Sequence, residues 1–591
     1  MSQTAHRLGQ ALARGAVFCL FLGVPLAASP LFWDQFTTVK WYVLEALASL
    51  WLLAEVLLLE SGHGPSFVRR HRVGCALVGS FLAASCFRLG PQAAWAPLLD
   101  RAVFAVLVLC FLWFLSRDDA PLRTVSLAVG LAALLADAYG LAQVAGLQPL
   151  PFLTAGDQRS AFFGNVNLTA QFLGLAVIFL ITALTGERAR LLRALGEGTV
   201  ALSLAYLYFL SSRSVALALT CAVGACGLVR RPALGSLARV VLGAALVAWF
   251  LSGPGGAAPS PGAEAGGAGY LHAVREHKWL TVVQRFHIWE GTLELVRDHP
   301  LGVGAGNFGD LFLAYGGDVP LVPREEVVFL HPHNEYLRAL AEEGLILVAV
   351  ALYLFLRLLL DLRAKRDPGL WRSPAGLLLL GASVFLSVEG FFQFPLATAF
   401  GALTVTLLLG LALRLLEPFP ESPSASGRAR TVVSVTVVAV AVILVLLYRV
   451  AASEYLFVNR RDDLAAQARA CRLNSRNLPA CVTAAWLEAG TGKVGEARRR
   501  LVHLLERAPR YFPAIKLLAE IALEEGDLEA GCLYLGAYDV LFREGSSLHG
   551  KLVEQGCDRA ALRATLARAA WPRGSIPFAP ADAAVAERAG R

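Results

Sequence analysis

Charge is what this sequence has least of. Asp, Glu, Lys and Arg supply 17% of its 591 residues, where a soluble domain carries about a quarter. With 56% hydrophobic residues and a mean hydropathy of +0.57, the chain is not an ordinary soluble protein. Its length alone would give roughly three or four soluble domains, a prior that fails once spanning segments appear. Also missing is any C-x-x-C pair among the ten cysteines, which removes zinc-ribbon and thioredoxin-like readings. Cys19, Cys75, Cys86, Cys110, Cys221 and Cys226 lie in apolar stretches, where cysteine acts as a small hydrophobe. The net charge of +8 does not make nucleic acid a partner, because in a membrane protein the placement of positive charge matters more than its sum.

What the sequence has is apolar runs of spanning length, about 20 residues each. They fall at Gly15–Leu31, Trp41–Leu59, Val73–Leu89, Trp95–Leu115, Val125–Leu147, Leu168–Leu184, Leu195–Ser211, Val215–Val229 and Leu237–Leu251. Four more follow, at Gly344–Leu360, Ala375–Phe392, Ala397–Leu416 and Val432–Tyr448. The expectation is an all-α polytopic membrane protein of about thirteen transmembrane helices. The first run resembles a signal peptide, with Ala27-Ala28-Ser29 near its end. It reads as a retained helix because the later charge pattern fits that count.

Basic residues mark alternate loops: Arg69, Arg70 and Arg72; Arg117 and Arg123; Arg188, Arg190 and Arg193; Arg230, Arg231 and Arg239; Arg363, Lys365, Arg366 and Arg372; Arg414, Arg428 and Arg430. By the positive-inside rule these loops and the N-terminus are cytoplasmic. Four regions follow: transmembrane helices over 1–251, a large outward loop over 252–343, further spans over 344–449, and a tail over 450–591. An odd helix count puts the tail outside with the loop; an even count puts it in the cytoplasm.

Beyond Ala451 the composition turns charged and Ala-rich. Pro479-Ala480 recurs at Pro513-Ala514 and Gly492 at Gly526, both at a spacing of 34 residues. Small and apolar residues around Trp486, Leu487, Leu517 and Leu518 suit paired antiparallel helices. This resembles the tetratricopeptide repeat, whose stacked helix pairs bind peptides and proteins. A generic helical bundle is the alternative. Cys471, Cys481, Cys532 and Cys557 all lie in this tail. An outside location permits disulfides there, and the closeness of Cys471 to Cys481 makes them a candidate pair.

The outward loop opens with a Gly/Pro/Ala-rich run, Gly253 to Gly269, expected to be a flexible linker. A helix-like stretch through Arg285-Phe286-His287-Ile288-Trp289 ends near Asp298-His299-Pro300. Leu301 to Gly309 follows, and His331-Pro332-His333-Asn334-Glu335-Tyr336-Leu337 then begins a helix running through Glu343-Gly344 into the tenth span. Gly304-Ala305-Gly306-Asn307-Phe308-Gly309 matches G-x-G-x-x-G only formally, because the βαβ context of a dinucleotide site is missing. His331 and His333, alternating across a proline, have no zinc-hydrolase spacing. Neither a metal nor another cofactor is expected.

Together these segments resemble the O-antigen ligase and polymerase (Wzy/WaaL-type) superfamily. Arg159 through Phe163-Gly164-Asn165-Val166-Asn167 with Ala170, and Ser212-Arg213-Ser214, match two further motifs of that family. Ser214 departs from the family's usual glycine. The resemblance covers roughly Arg159 to Leu396. It implies a GT-C-like glycosyltransferase that moves a glycan from an undecaprenyl-pyrophosphate donor to an acceptor, inverting and without metal. It assigns His333, Arg285 and Arg213 to catalysis, and makes Arg159, Asn165, Asn307 and Asn334 candidate substrate-binding residues. Arginine suits a pyrophosphate leaving group because its planar fork takes two oxygens and never loses its charge. An imidazole titrating near neutrality suits a base for the acceptor hydroxyl.

Local alternatives stand beside these roles. Arg213 sits where helix-end arginines snorkel, Arg285 fits a surface charge, and His333 fits a helix-start residue. Asn165 and Asn307 fit turns or caps. Glu389, with Gln393 at the outer end of the eleventh span, fits either an acceptor site or an arginine's partner. Acceptor identity stays open among a lipid core, a growing polysaccharide and a protein hydroxyl, and the repeat-like tail favours a protein partner. A lipid-linked sugar transporter would show internal hydropathy repeats and broken helices, which are not visible here. A non-catalytic scaffold would make the loop residues dispensable.

Overall fold

The computed structural model describes residues 3–32, 34–58, 95–117, 121–150, 159–185, 187–230, 267–312, 315, 331–364, 368–416, 429–475, 477–508, 511–542 and 556–568. Every regular element among them is helical. The first membrane group is α1 (Gln3–Leu26), α2 (Thr37–Leu58), α3 (Trp95–Arg117), α4 (Pro121–Val144), α5 (Val166–Leu184), α6 (Arg190–Leu210) and α7 (Arg213–Arg230). The loop region contributes α8 (Gly267–Asp298) and the short α9 (Phe308–Phe312). A second group follows: α10 (Glu335–Ala364), α11 (Pro368–Arg372), α12 (Pro374–Glu389), α13 (Ala399–Leu416) and α14 (Ala429–Asn459). The tail holds α15 (Leu464–Leu473), α16 (Leu478–Gly490), α17 (Val494–Arg507), α18 (Phe512–Glu524), α19 (Leu528–Phe542) and α20 (Arg559–Arg568).

The chain is an all-α polytopic membrane protein. Helices α4, α5, α7, α10 and α13, with Val440–Asn459 of α14, are long and apolar enough to cross a membrane, and Gln10–Leu26, Ala102–Leu112 and Pro374–Glu389 are shorter apolar helices. The expected spans Val73–Leu89 and Leu237–Leu251 lie outside the described residues, as do Arg69, Arg70, Arg72, Arg231, Arg239, Lys365, Arg366 and Arg428.

Inside a bilayer, apolar surface alone gives helices no reason to associate, so close packing must hold the bundle. Phe21 of α1 sits about 6 Å from the rings of Phe111, Phe179 and Phe400, joining α1, α3, α5 and α13. Trp51 of α2 stands edge-on to Phe111 at 5.3 Å. At Gly174 of α5 a Cβ would lie 2.6 Å from the Phe385 ring, so the small residue lets α5 and α12 pack closely. Along its spanning part α10 is almost wholly exposed, with Leu352, Phe355, Leu356 and Leu359 outward, as a lipid-facing helix requires.

Two expectations about the loop are corrected. Residues 253–266 of the expected linker lie outside the described residues, but Gly267–Gly269 already belong to α8. The helix expected to run unbroken through Gly344 is interrupted there (φ 80°, ψ 169°). That conformation is essentially glycine-only, and the neighbouring backbone forbids a side chain: a Cβ at Gly344 would lie 2.2 Å from the Leu301 carbonyl carbon. The break lets Val303 and Gly304 N–H donate to the carbonyls of Ala341 and Glu342, and Leu345 N–H to Pro300. Gly344→Ala is therefore expected to lose about 1–3 kcal/mol from backbone strain alone. It should expose residues 299–312 to limited proteolysis in membranes, where an unchanged digestion pattern would contradict this packing.

In the tail, two glycines at the 34-residue spacing occupy equivalent turns. Gly492 and Gly526 both take φ 79°. Lys493 N–H donates to Glu488 O and Asp527 N–H to Ala522 O, so α16 and α18 end in the same Schellman-type turn. Buried Ala485, Leu501, Leu505, Leu518 and Tyr534 form one core across these helices. Cys471 is bonded to Cys481, and Cys532 to Cys557. Alkylation of the unreduced full-length protein is expected to leave all four tail cysteines unlabelled by mass spectrometry. Opening the short Cys471–Cys481 loop by Cys481→Ser should cost about 2–3 kcal/mol. Labelling of these thiols without reductant would refute both bonds.

Several contacts place the tail on the same side as the N-terminal ends of α5 and α13. Tyr42 OH donates to Glu454 Oε2 (2.7 Å), and Asn459 Nδ2 to Leu31 O (2.9 Å). Lys40 Nζ donates to Phe162 O (2.7 Å), and Trp41 Nε1 to Ala397 O (3.2 Å).

Candidate active site

Four segments meet at that same end of the bundle. Helix α8 supplies Arg285, the turn before α10 supplies His331 and His333, the end of α12 supplies Glu389, and the start of α7 supplies Ser214. His333 has φ +50°, a left-handed conformation that His and Asn accept more readily than most residues. The turn is pinned from three sides. Trp289 Nε1 donates to Pro332 O (2.9 Å), Glu335 N–H to Gly390 O (2.7 Å), and Asn334 Oδ1 caps α10 by accepting from Tyr336 and Leu337 N–H. The Phe394 ring lies 4.5 Å from His331 and 5.5 Å from His333, centroid to centroid.

Beneath the turn runs a buried ionic strut. Arg338 bonds Glu335 through Nε (2.8 Å) and also through its terminal nitrogen, and bonds Glu342 at 3.0 Å. Glu342 accepts from Gly306 N–H (3.0 Å) and Glu335 from Leu396 N–H (2.9 Å). One arginine thus ties the glycine-rich loop, the histidine turn and the α12–α13 connection together.

The electrostatics favour a neutral imidazole. Burial lowers the His333 pKa, the Arg285 cation beside it lowers it further, and a hydrogen bond with Gln393 opposes both. His331 is pushed down to about 4, by burial first and then by Arg338 and His333. Arg285 is lowered by burial while the nearby Glu389 charge holds it up, and a guanidinium so placed remains a cation at neutral pH. Glu389 is fully buried. Its Oε1 accepts from Ser214 Oγ (3.1 Å). Glu389 Oε2 and His333 Nδ1 are buried with no hydrogen-bond partner among the described residues.

Of the residues singled out in the sequence, Arg285, His333 and Glu389 come together, with Asn334 immediately behind. Arg213 is exposed at the rim, next in chain to Ser214. Its motif meets the Asn165-Val166-Asn167 motif where Ser212 Oγ donates to Asn167 Oδ1 (3.4 Å). The asparagines are engaged locally: Asn165 Oδ1 caps α5, and Asn307 Nδ2 donates to Val303 O (2.9 Å). The Arg159 carbonyl accepts from Tyr206 OH (2.5 Å).

The sequence reading missed Lys40, Arg338, Glu342 and Phe394. Lys40 is buried, donates to Ala27 O (2.6 Å) as well as to Phe162 O, and lies over the Phe163 ring. It therefore holds the loop that carries Asn165. A lone lysine opening an apolar run was a usable signal, since intramembrane charges are costly. The spacing Glu335, Arg338, Glu342 was another, being i, i+3, i+7 on one helix face.

Residues 198–352, about a quarter of the chain, match the model of a family described as O-antigen ligase. The match begins within α6 and ends within α10. It contains Arg213, Arg285, Asn307, His333 and Asn334, and leaves Arg159, Asn165, Glu389 and the tail outside. No curated protein matches the chain.

Proposed function

We propose that this membrane protein, similar over its central segment to O-antigen ligases, is a metal-independent, inverting glycosyltransferase. It takes a glycan from an undecaprenyl-pyrophosphate donor at the outer face of the bacterial inner membrane. The observation that carries the reading is a half-buried guanidinium, Arg285, within electrostatic reach of a neutral imidazole whose Nδ1 has no hydrogen-bond partner among the described residues.

In this reading the acceptor hydroxyl donates to His333 Nδ1, while the other ring nitrogen is held by Gln393. The hydroxyl oxygen attacks the anomeric carbon and its proton passes to Nδ1. The bond to the pyrophosphate oxygen breaks on the opposite face, which inverts the centre. Negative charge grows on the leaving pyrophosphate, where Arg285, and Arg213 at the rim, stabilise it. Glu389 sets the position of Arg285 by charge. Arg159, Asn165, Asn307 and Asn334 shape the surrounding donor and acceptor surface. The tail, read as a tetratricopeptide-like domain on the same side as the site, favours a protein partner or a protein acceptor over a purely lipidic one. Its two disulfides suit an oxidising compartment.

The test is transfer from purified undecaprenyl-pyrophosphate-linked glycan by protein in nanodiscs with EDTA present, offered lipid, glycan and peptide acceptors separately. Release of undecaprenyl pyrophosphate with an inverted linkage by NMR is expected. Retention of configuration, or dependence on added metal, would overturn the mechanism. Absence of transfer to every acceptor by folded protein would return the reading to a transporter or scaffold.

A further inference from the structure

The opposite end of the bundle carries a second feature that the transfer chemistry does not use. A cavity of about 230 Å³ opens between α5, α7 and α12, lined by Ile178, Ile181, Thr182, Val223, Gly227 and Arg230, among others. Its wall is apolar in effect. Thr182 Oγ1 is turned onto the carbonyls of Ile178 and Phe179, and Thr185 Oγ1 onto that of Thr182. The floor is closed where α12 meets α7: a Cβ at Gly381 would lie 2.9 Å from Cys226 Sγ. The outer lip is open, with Ile181, Val223 and Leu228 exposed. Among the described residues nothing lies within 4 Å of an ideal Cβ at Gly227. At the mouth stands Arg230, exposed in the last turn of α7 and without an ion-pair partner among the described residues.

We propose that this groove binds an anionic glycerophospholipid of the cytoplasmic leaflet, with an acyl chain in the cavity and the phosphodiester on Arg230. Water finds few hydrogen-bond partners on a mostly apolar wall whose threonine protons are already donated to backbone carbonyls, and an unfilled void forfeits dispersion contacts along its lining. A hydrocarbon chain restores those contacts. Arginine selects the phosphate geometrically, and the cytoplasmic leaflet is the one rich in anionic lipid. Arg188, Arg190 and Arg193, in the connection after α5 and the first turn of α6, and Arg372, which ends α11, share this end of the bundle without lining the cavity, and Glu187 offsets part of their charge, so the discrimination falls to Arg230. A lipid wedged there braces α5, α7 and α12, the helices whose other ends present Asn165, Ser214 and Glu389. The leaflet assignment rests on the orientation proposed above; the binding itself does not depend on the donor or the acceptor.

The test is native mass spectrometry of full-length protein, delipidated in detergent and offered phosphatidylglycerol and phosphatidylethanolamine at equal concentration. Wild type is expected to retain phosphatidylglycerol with about a fivefold preference, the size of effect one arginine supplies near a charged leaflet. Arg230→Gln should bind the two lipids equally. Gly227→Phe, whose ring enters open space, should lose the retained lipid. Equal binding of both lipids by wild type, or a preference that survives Arg230→Gln, would overturn the proposal, and so would lipid retention unchanged in folded Gly227→Phe. Failure of glycan transfer in other assays would not alter this readout.

Discussion

His333→Asn is expected to leave the protein folded and to lower kcat by about 10²–10⁴-fold, the range that a positioned general base contributes. Asparagine is the informative replacement. It tolerates the left-handed φ of +50° at this position, so the loss reports the missing base rather than a displaced turn. The pH profile carries the same claim. Because burial and Arg285 hold the His333 pKa below its ordinary value, the base stays neutral, and competent, at pH values where an unperturbed histidine is half protonated, about 6.5. The acid limb of kcat/KM should therefore fall below that value and vanish in His333→Asn. An acid limb centred at or above about 6.5 would contradict the placement of Arg285 beside the ring.

Arg285→Gln is expected to cost about 10²–10³-fold in kcat, the effect of removing one preorganised donor from developing oxyanion charge. Two further consequences separate this from a general packing defect. One of the forces depressing the His333 pKa disappears, so the residual activity should show its acid limb moved upward. Glu389, fully buried, loses its nearby cation, which should destabilise the protein by about 1–3 kcal/mol. Adding Glu389→Gln should restore most of that stability and none of the activity. A thermal-melt and rate comparison of the two single variants and the double variant checks both, and simple additivity in stability would show that the pair is not coupled.

The helices and their order were legible because hydrophobic length reports a spanning segment directly. The apolar runs at Leu168–Leu184 and Ala397–Leu416 became α5 and α13 within two residues at each end. The 34-residue spacing marked the matched turns at Gly492 and Gly526. What sequence periodicity could not show was the break at Gly344, because helix-forming residues flank it and the cause is a tertiary backbone approach from Leu301. It likewise could not show that Arg285 comes within electrostatic reach of Glu389, 104 residues later in the chain, or that Lys40 supports the Phe162 loop. Such pairings depend on which helix ends converge. The asparagines were ambiguous for a physical reason: the amide that binds a sugar also caps a helix, and here Asn165 and Asn334 cap theirs.

The most direct test of the glycosyltransferase reading is a single-turnover assay with purified undecaprenyl-pyrophosphate-linked glycan in the presence of EDTA. It would compare wild type, His333→Asn and Arg285→Gln under identical donor loading. Metal-independent transfer by wild type, lost in both variants while His333→Asn still binds donor, is the predicted result. Transfer at wild-type rate in both variants would contradict the site, and with it the chemistry proposed for this fold.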